Sequence, residues 1–379
     1  MFQTAFTLSL IQFARILSLP ERLQRSPLRN LALEGLRQRN VALDALFYDI
    51  KVITPEEAFY ISDSLAAQGA IMIVPPSDGA PIILCETVDE FVLRGGDKVR
   101  ALAVAGIGGS ALGAAAFARN VADAIQGPVA VVVSGYGIAD VITEAFGGLF
   151  FFGHLRGLRP MLETLDDLAG RPKVGAYGDG AAARTSLDTR TVQALLADPR
   201  LSFRLLVGHS KGNLVLSAAL HDLCKEDEIR VADLAETMKI VTIGARIAMP
   251  PAFTDVVDVM GEWDWFGEIN SRPFIDADRH IPHAWHHTNT DFGGHLPVTS
   301  TLQEILAISP IAADARAEES SAEASPLANE TIVALSSARP GPRPATIEKV
   351  KKAFSASTLP STPHSEPGSS EDLQPPKPH

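Results

Sequence analysis

Two cysteines, Cys85 and Cys224, are all that the 379 residues contain, and they lie far apart in apolar surroundings. That leaves no basis for a disulfide framework or a cysteine-built zinc site, and the thiols read as buried groups of a reducing, cytoplasmic compartment. Positive charge is also scarce: 33 Lys and Arg stand against 45 Asp and Glu, a net charge of -12 with pI near 5.3. Nucleic acid and anionic membrane surfaces would repel such a chain, so a small neutral substrate fits better. Long apolar runs are missing as well. The opening MFQTAFTLSLIQFARILSLP is interrupted by Gln12 and Arg15, short of the roughly 20 residues that a span requires. It also lacks the basic first region and small-residue cleavage site of a signal peptide. Residues 1–19 therefore read as an amphipathic helix that docks on the protein's own body, on a partner subunit, or peripherally on a membrane.

What is abundant is apolar sequence, 46% of the chain, enough for a sizeable core in one large domain or two smaller ones. Residues 1–45 read as a helical N-terminal extension, with Arg22, Arg25, Arg29, Arg37 and Arg39 on a solvated face. Strand-like runs follow in FYDIKVI (47–53), AIMIVPP (70–76) and PIILC (81–85). From about residue 99 the pattern becomes regular: ALAVAG, PVAVVVSG, FRLLVG, KIVTIG and DVVDVMG, each closed by a small residue and separated by helix-length segments. Such runs are apolar throughout rather than alternating, which means burial on both faces. The fold class is therefore α/β: a mostly parallel central sheet flanked by helices, doubly wound, spanning 46–310. Residues 138–200 are too long for a simple crossover and read either as a cap over the sheet edge or as a pair of packing helices. The stretch 311–379 turns to Ala, Ser, Glu and Pro and reads as a disordered tail.

Within this pattern, RLLVGHSKGNLV (204–215) places a serine between two glycines where a buried strand ends and a helix begins. A turn that sharp works only if Gly208 and Gly212 carry almost no side chain, and it would lift the Ser210 hydroxyl into the open at the carboxyl edge of the sheet. The helix that follows aims its N-terminal amides at the same point, which suits an oxyanion. Gly208-His209-Ser210-Lys211-Gly212 in this setting resembles the nucleophile elbow of the α/β-hydrolase superfamily, its lipase- and esterase-like members in particular. The resemblance covers about residues 99–305. It implies a serine hydrolase that cleaves a carboxylic ester of a small molecule or lipid, needing no cofactor and no metal.

A serine hydroxyl is a weak nucleophile at neutral pH, so a base and an orienting carboxylate are required. The superfamily order is serine, acid, histidine. Asp264, in the loop after DVVDVMG, resembles the acid of a G-x-x-D turn, whereas Asp255 and Asp258 lie at the start of the strand and within it. Five of the ten histidines fall in RHIPHAWHHTNTDFGGH. HIPHAWH resembles the strand and turn that carry the catalytic histidine in relatives and favours His286; His295, just before a helix-like TSTLQEILAI, and His287 remain alternatives. The other histidines read as loop or surface residues. His280, His283 and His286 are spaced as metal ligands on a helix would be, but no H-E-x-x-H accompanies them, so a histidine-rich loop is the better account.

AGIGGSALG supports two readings. Gly106-Ile107-Gly108-Gly109-Ser110-Ala111 fits the dinucleotide fingerprint G-x-G-x-x-A, but the next strand ends in Ser134 rather than in an acid for the ribose, and Asp123 lies inside the helix. In the hydrolase reading the same loop supplies the second oxyanion donor, the Ile107 amide beside that of Lys211, although Ala105 stands where relatives often carry histidine. Phe150, Phe151, Phe152, Trp263, Trp265 and Phe266 are candidates to line an acyl pocket or simply to pack the core. The rival from another class is a non-catalytic binding or scaffold protein that keeps the hydrolase fold.

Overall fold

The structure is a computed structural model that describes residues 6, 8–9, 27–62, 68–106, 108–135, 186–272 and 274–307, with backbone only at 27–34 and 36–37. The candidate donor Ile107, the aromatics Phe150 to Phe152, most of the proposed cap and the whole tail 311–379 lie outside the described residues. No described helix is long and apolar enough to cross a membrane. Of residues 1–19 only Phe6, Leu8 and Ser9 are described; Leu8 packs against the core and Phe6 is exposed.

Eight strands form one sheet: β1 (Ile71–Val74), β2 (Ile83–Cys85), β3 (Ala101–Val104), β4 (Val129–Val132), β5 (Leu205–His209), β6 (Lys239–Ile243), β7 (Val256–Gly261) and β8 (Arg279–Ile281). Their spatial order is β2-β1-β4-β3-β5-β6-β7-β8. β1 runs antiparallel to both neighbours, and every pairing from β4 to β8 is parallel. Seven of these strands coincide with the apolar runs of the sequence, and β8 with its HIPHAWH segment. The run FYDIKVI does not: Ile50–Val52 is a 3-10 turn. Tyr48, Ile50 and Ile53 are all buried there, and Lys51 turns out to Asp291, so packing and an ion pair override the β propensity of the segment.

Nine helices are described: α1 (Pro27–Phe47), α2 (Pro55–Ile61), α3 (Val88–Leu93), α4 (Ala111–Ile125), α5 (Leu187–Ala197), α6 (Lys211–Glu226), α7 (Glu228–Thr237), α8 (Trp265–Ile269) and α9 (Val298–Ala307). The period of two in the strands divides the core between the two faces of the sheet. Ala101, Ala103, Val129, Val131, Val207 and Val241 pack against α4 and α9, while Leu102, Val104, Ala130, Val132, Leu206 and Ile240 pack against α5 and α6. Each fully buried Val or Leu side chain contributes about 1.5–3 kcal/mol, so the two layers are the main stabilising term.

The N-terminal helix is joined to this body rather than appended to it. Val41, Asp44 and Tyr48 are buried, Phe47 O accepts from Thr288 N at 2.7 Å, and Ala45 O accepts from Asn289 Nδ2 at 2.6 Å. Asn40, Val41 and Asp44, expected in an extension, are thus buried in this body.

The connection from β3 runs to β4 on one side, and β5 takes up position on the other. Chain order reverses between β3 and β5, and the carboxyl ends at such a reversal are where open α/β sheets place ligands. Gly106 and the turn at Ser210 stand at those ends.

Candidate active site

Ser210 follows β5 directly and holds φ 52°, ψ -120°, a backbone conformation that non-glycine residues rarely adopt. Its amide donates to Ile243 O at 2.9 Å, which ties the turn to the end of β6. The flanking glycines are required by close approach: a Cβ on Gly208 would collide with Asn213 Oδ1, and one on Gly212 with the carbonyl of Val104 on β3. Asn213 in turn donates through Nδ2 to Ile243 O at 3.0 Å and Ala245 O at 2.9 Å, fixing the first turn of α6 against the end of β6.

The expectation of an open hydroxyl is not met, because Ser210 has no exposed surface. The loop after β3 closes on it: a Cβ on Gly106 would stand 2.8 Å from Ser210 Cβ and 2.7 Å from Lys211 N. Lys211 N lies in the first turn of α6, at the positive end of the helix dipole. The Lys211 side chain is also buried. Its Nζ donates to Gly135 O at 2.9 Å and lies 3.7 Å from Asp188 Oδ2, so one ammonium beside the turn holds both the chain leaving β4 and the first turn of α5.

Asp264 lies in the turn after β7. β7 ends at Gly261, and Asp264 caps α8, accepting from Gly267 N at 2.6 Å. Of the three candidate histidines, His286 is the one brought to it: Nδ1 lies 2.9 Å from Oδ1 and 2.8 Å from Oδ2 of Asp264, with both side chains buried. A carboxylate only accepts, so Nδ1 carries the proton and Nε2 is left as a bare lone pair in the neutral ring. That Nε2 is buried and makes no hydrogen bond among the described residues. The ring lies against the end of β6, where a Cβ on Gly244 would stand 3.0 Å from its Cε1, and Phe266 packs edge-on against it with centroids 4.9 Å apart.

His295 goes elsewhere, with Nδ1 3.3 Å from Phe292 O, and burial pushes His287 below the usual imidazole range. The triplet His280, His283 and His286 does not converge, since His283 turns to Glu262 while His286 turns to Asp264. Asp258 donates its amide to Asp278 and its carboxyl is bound by Thr242; Asp255 pairs with Lys239. Trp263 and Trp265 are about half exposed, whereas Phe266, among the described candidates of that group, packs against His286.

Sequence reasoning misjudged His209. Expected in a loop or at the surface, it is fully buried at the end of β5, its ring 5.0 Å from that of His286 and 5.4 Å from that of Tyr48. The signal was available in strand alternation: residue 209 falls on the face of Val207 and Leu205, which is the α4 face of the core. Asp44 was missed altogether. Its carboxyl is bound by Ser110 Oγ and by Gly113 N at 3.1 Å, and burial pushes it up to about 8.

No protein-family model matches the chain, and no curated protein matches it either.

Proposed function

We propose that the chain is a serine hydrolase of α/β-hydrolase type, cleaving carboxylic esters of a small molecule or lipid through an acyl-enzyme on Ser210. The observation that carries the reading is the Asp264–His286 pair, which holds a bare, buried imidazole nitrogen at the sheet edge where Ser210 sits in a strained turn. In the proposed mechanism the Ser210 oxygen attacks the ester carbonyl carbon while His286 Nε2 takes the hydroxyl proton. The tetrahedral intermediate collapses as that proton passes to the departing alcohol. Water then attacks the acyl-enzyme, again giving a proton to His286, which returns it to Ser210 as the carboxylic acid leaves. Asp264 holds the imidazole in the required tautomer throughout. In this reading the Lys211 amide meets the developing oxyanion and the Ile107 amide, from the loop after β3, is the second donor.

The dinucleotide reading has less support. It needs the glycine loop and the start of α4 open to a pyrophosphate. Instead a Cβ on Gly108 would collide with Asp44 Oδ1, Gly113 N already donates to Asp44, and Leu112 N donates to Ser110 Oγ at 3.2 Å. One observation favours the scaffold reading, namely that Ser210 is enclosed. A fluorophosphonate probe separates the two. Covalent labelling at Ser210, abolished in Ser210→Ala, is expected of the hydrolase; a folded chain that takes up no probe would identify a binding protein that has kept the fold.

A further inference from the structure

Tyr48 enters the site from just beyond α1 and has no part in the chemistry above. Its hydroxyl oxygen lies 2.7 Å from Gly106 N and 3.0 Å from His209 Nδ1, and the other nitrogen of that ring, Nε2, lies 2.9 Å from the carbonyl oxygen of His286. Chemistry fixes the direction of each bond. A carbonyl only accepts, so His209 Nε2 carries the proton. Burial, and after it the nearby His286, hold His209 well below the usual imidazole range, so the ring is neutral and Nδ1 is a lone pair. Tyr48 must therefore donate to Nδ1, and its oxygen accepts the Gly106 N–H. A single directed chain results: Gly106 N–H to Tyr48 O–H to His209, and His209 N–H to the His286 carbonyl.

Its two ends are significant. One is the backbone of the first residue in the loop that closes over Ser210, and the other is the backbone of the base. Between them the chain passes through the residue that precedes the nucleophile. We propose that Tyr48 and His209 are positioning residues which hold the loop after β3 and the backbone of His286 in register around Ser210. This inference rests on the hydrolase reading of that site. Neither residue touches a reacting atom; each acts through the group it holds. The elements they join come from distant parts of the chain, and His286 lies in the irregular segment after β8, where no strand ladder sets its height. Phe117 packs beside both rings, with centroids 6.0 Å from Tyr48 and 5.8 Å from His209, but offers no hydrogen bond. Packing and hydrogen bonding can therefore be removed separately.

The test compares the full-length wild type with Tyr48→Phe and Phe117→Leu in three measurements: fluorophosphonate labelling rate at Ser210, kcat and KM for p-nitrophenyl acetate, and urea midpoint. Loss of register costs transition-state geometry rather than ground-state binding, so Tyr48→Phe is expected to lower kcat ~10- to 100-fold with KM changed by less than about twofold. Phe117→Leu is expected to lower the urea midpoint while leaving kcat near that of the wild type. Wild-type kcat in a folded Tyr48→Phe overturns the proposal, as does a fall in kcat that simply follows stability in both variants. The imidazole nitrogen-15 shifts of the wild type add a test that needs no variant to fold: the Nε2–H tautomer is expected at His209, and the Nδ1–H tautomer overturns the proposal. Failure of the underlying reading is distinct, because a wild type that does not label at Ser210 removes the hydrolase itself, whereas labelling unaffected by Tyr48→Phe removes only the positioning role.

Discussion

The loop after β3 and the turn after β5 are built from similar sequence, a buried strand, glycines, a serine and an apolar helix, and they stand side by side in the sheet. Their serines do opposite work. Ser110 has φ -79°, ψ 166°, caps α4 by accepting from Leu112 N, and is itself bound to Asp44, so the first turn of α4 is satisfied from within. Ser210 has φ 52°, ψ -120° and makes no side-chain cap hydrogen bond to α6. The first turn uses its serine as a helix cap, whereas the second holds its serine in a strained backbone without such a cap. Glycine-rich strand-to-helix turns therefore cannot be assigned by pattern alone; what fills the space beside the glycines decides.

The largest expected effects sharpen that contrast in chemistry. If the second unit is the reactive one, His286→Ala should lower p-nitrophenyl ester turnover ~10⁵- to 10⁶-fold, and Asp264→Asn, which spoils the tautomer but not the shape, ~10⁴-fold. His295→Ala, whose ring faces Phe292 O rather than Asp264, should stay near wild type. A steep loss in His295→Ala with turnover kept in His286→Ala would reverse the assignment of the base.

Next in size is a steric effect on the contact between the two units. In an ordinary helix, Gly→Ala gains up to ~1 kcal/mol. Gly212→Ala should instead lose about 2 kcal/mol in urea unfolding, because its methyl would press on the Val104 carbonyl, a backbone atom of β3 that cannot rotate away. Gly127, past the end of α4, has its nearest neighbour at 3.9 Å from a Cβ position, so Gly127→Ala is the neutral control.

A smaller effect tests whether the first unit is closed by Asp44. In the folded chain this carboxyl is raised from 3.8 to about 8, chiefly by burial. Between those two values the folded protein keeps a proton that the unfolded chain has released, so stability declines as pH rises through that window. The decline from this one group is at most ~1.4 kcal/mol per pH unit. Asp44→Asn cannot release the proton. Relative to wild type it should gain stability between pH 5 and pH 7.5, and a difference that does not change with pH would show that the folded Asp44 carboxyl is not raised above its unfolded range. The lowered titration of His209 acts in the opposite direction but is common to both proteins and cancels in the difference.

Sheet and triad candidates were legible in the sequence for a shared reason: parallel strands buried on both faces read as unbroken apolar runs, and Ser210 and Asp264 sit at the ends of two of them. Less legible were the groups that reach the site through tertiary contacts. Tyr48 meets His209 from 161 residues away, and Asp44 meets Ser110 from 66. Nothing local marks such pairings, because the residues lie in a segment whose apolar pattern reads as helix followed by strand. The choice among His286, His287 and His295 was open for a similar reason: a histidine-rich loop has no period, and only the side chain of Asp264 selects one ring.

The smallest expected effect is the most direct comparison of the two serines. Removing the side chain at Ser110 loses a cap, which should cost about 1 kcal/mol in Ser110→Ala. At position 210 the backbone itself is the burden, since a non-glycine residue held at φ 52°, ψ -120° stores of order 1 kcal/mol. Glycine removes that strain at some cost in unfolded-state entropy, so Ser210→Gly should match or exceed the stability of Ser210→Ala, by up to ~1 kcal/mol, even though both lack the nucleophile. A loss in Ser110→Ala beside a gain of Ser210→Gly over Ser210→Ala would show that the second turn is strained where the first is not. If Ser210→Gly proved clearly less stable than Ser210→Ala, the turn would not be strained, and the main physical distinction between the two units would be lost.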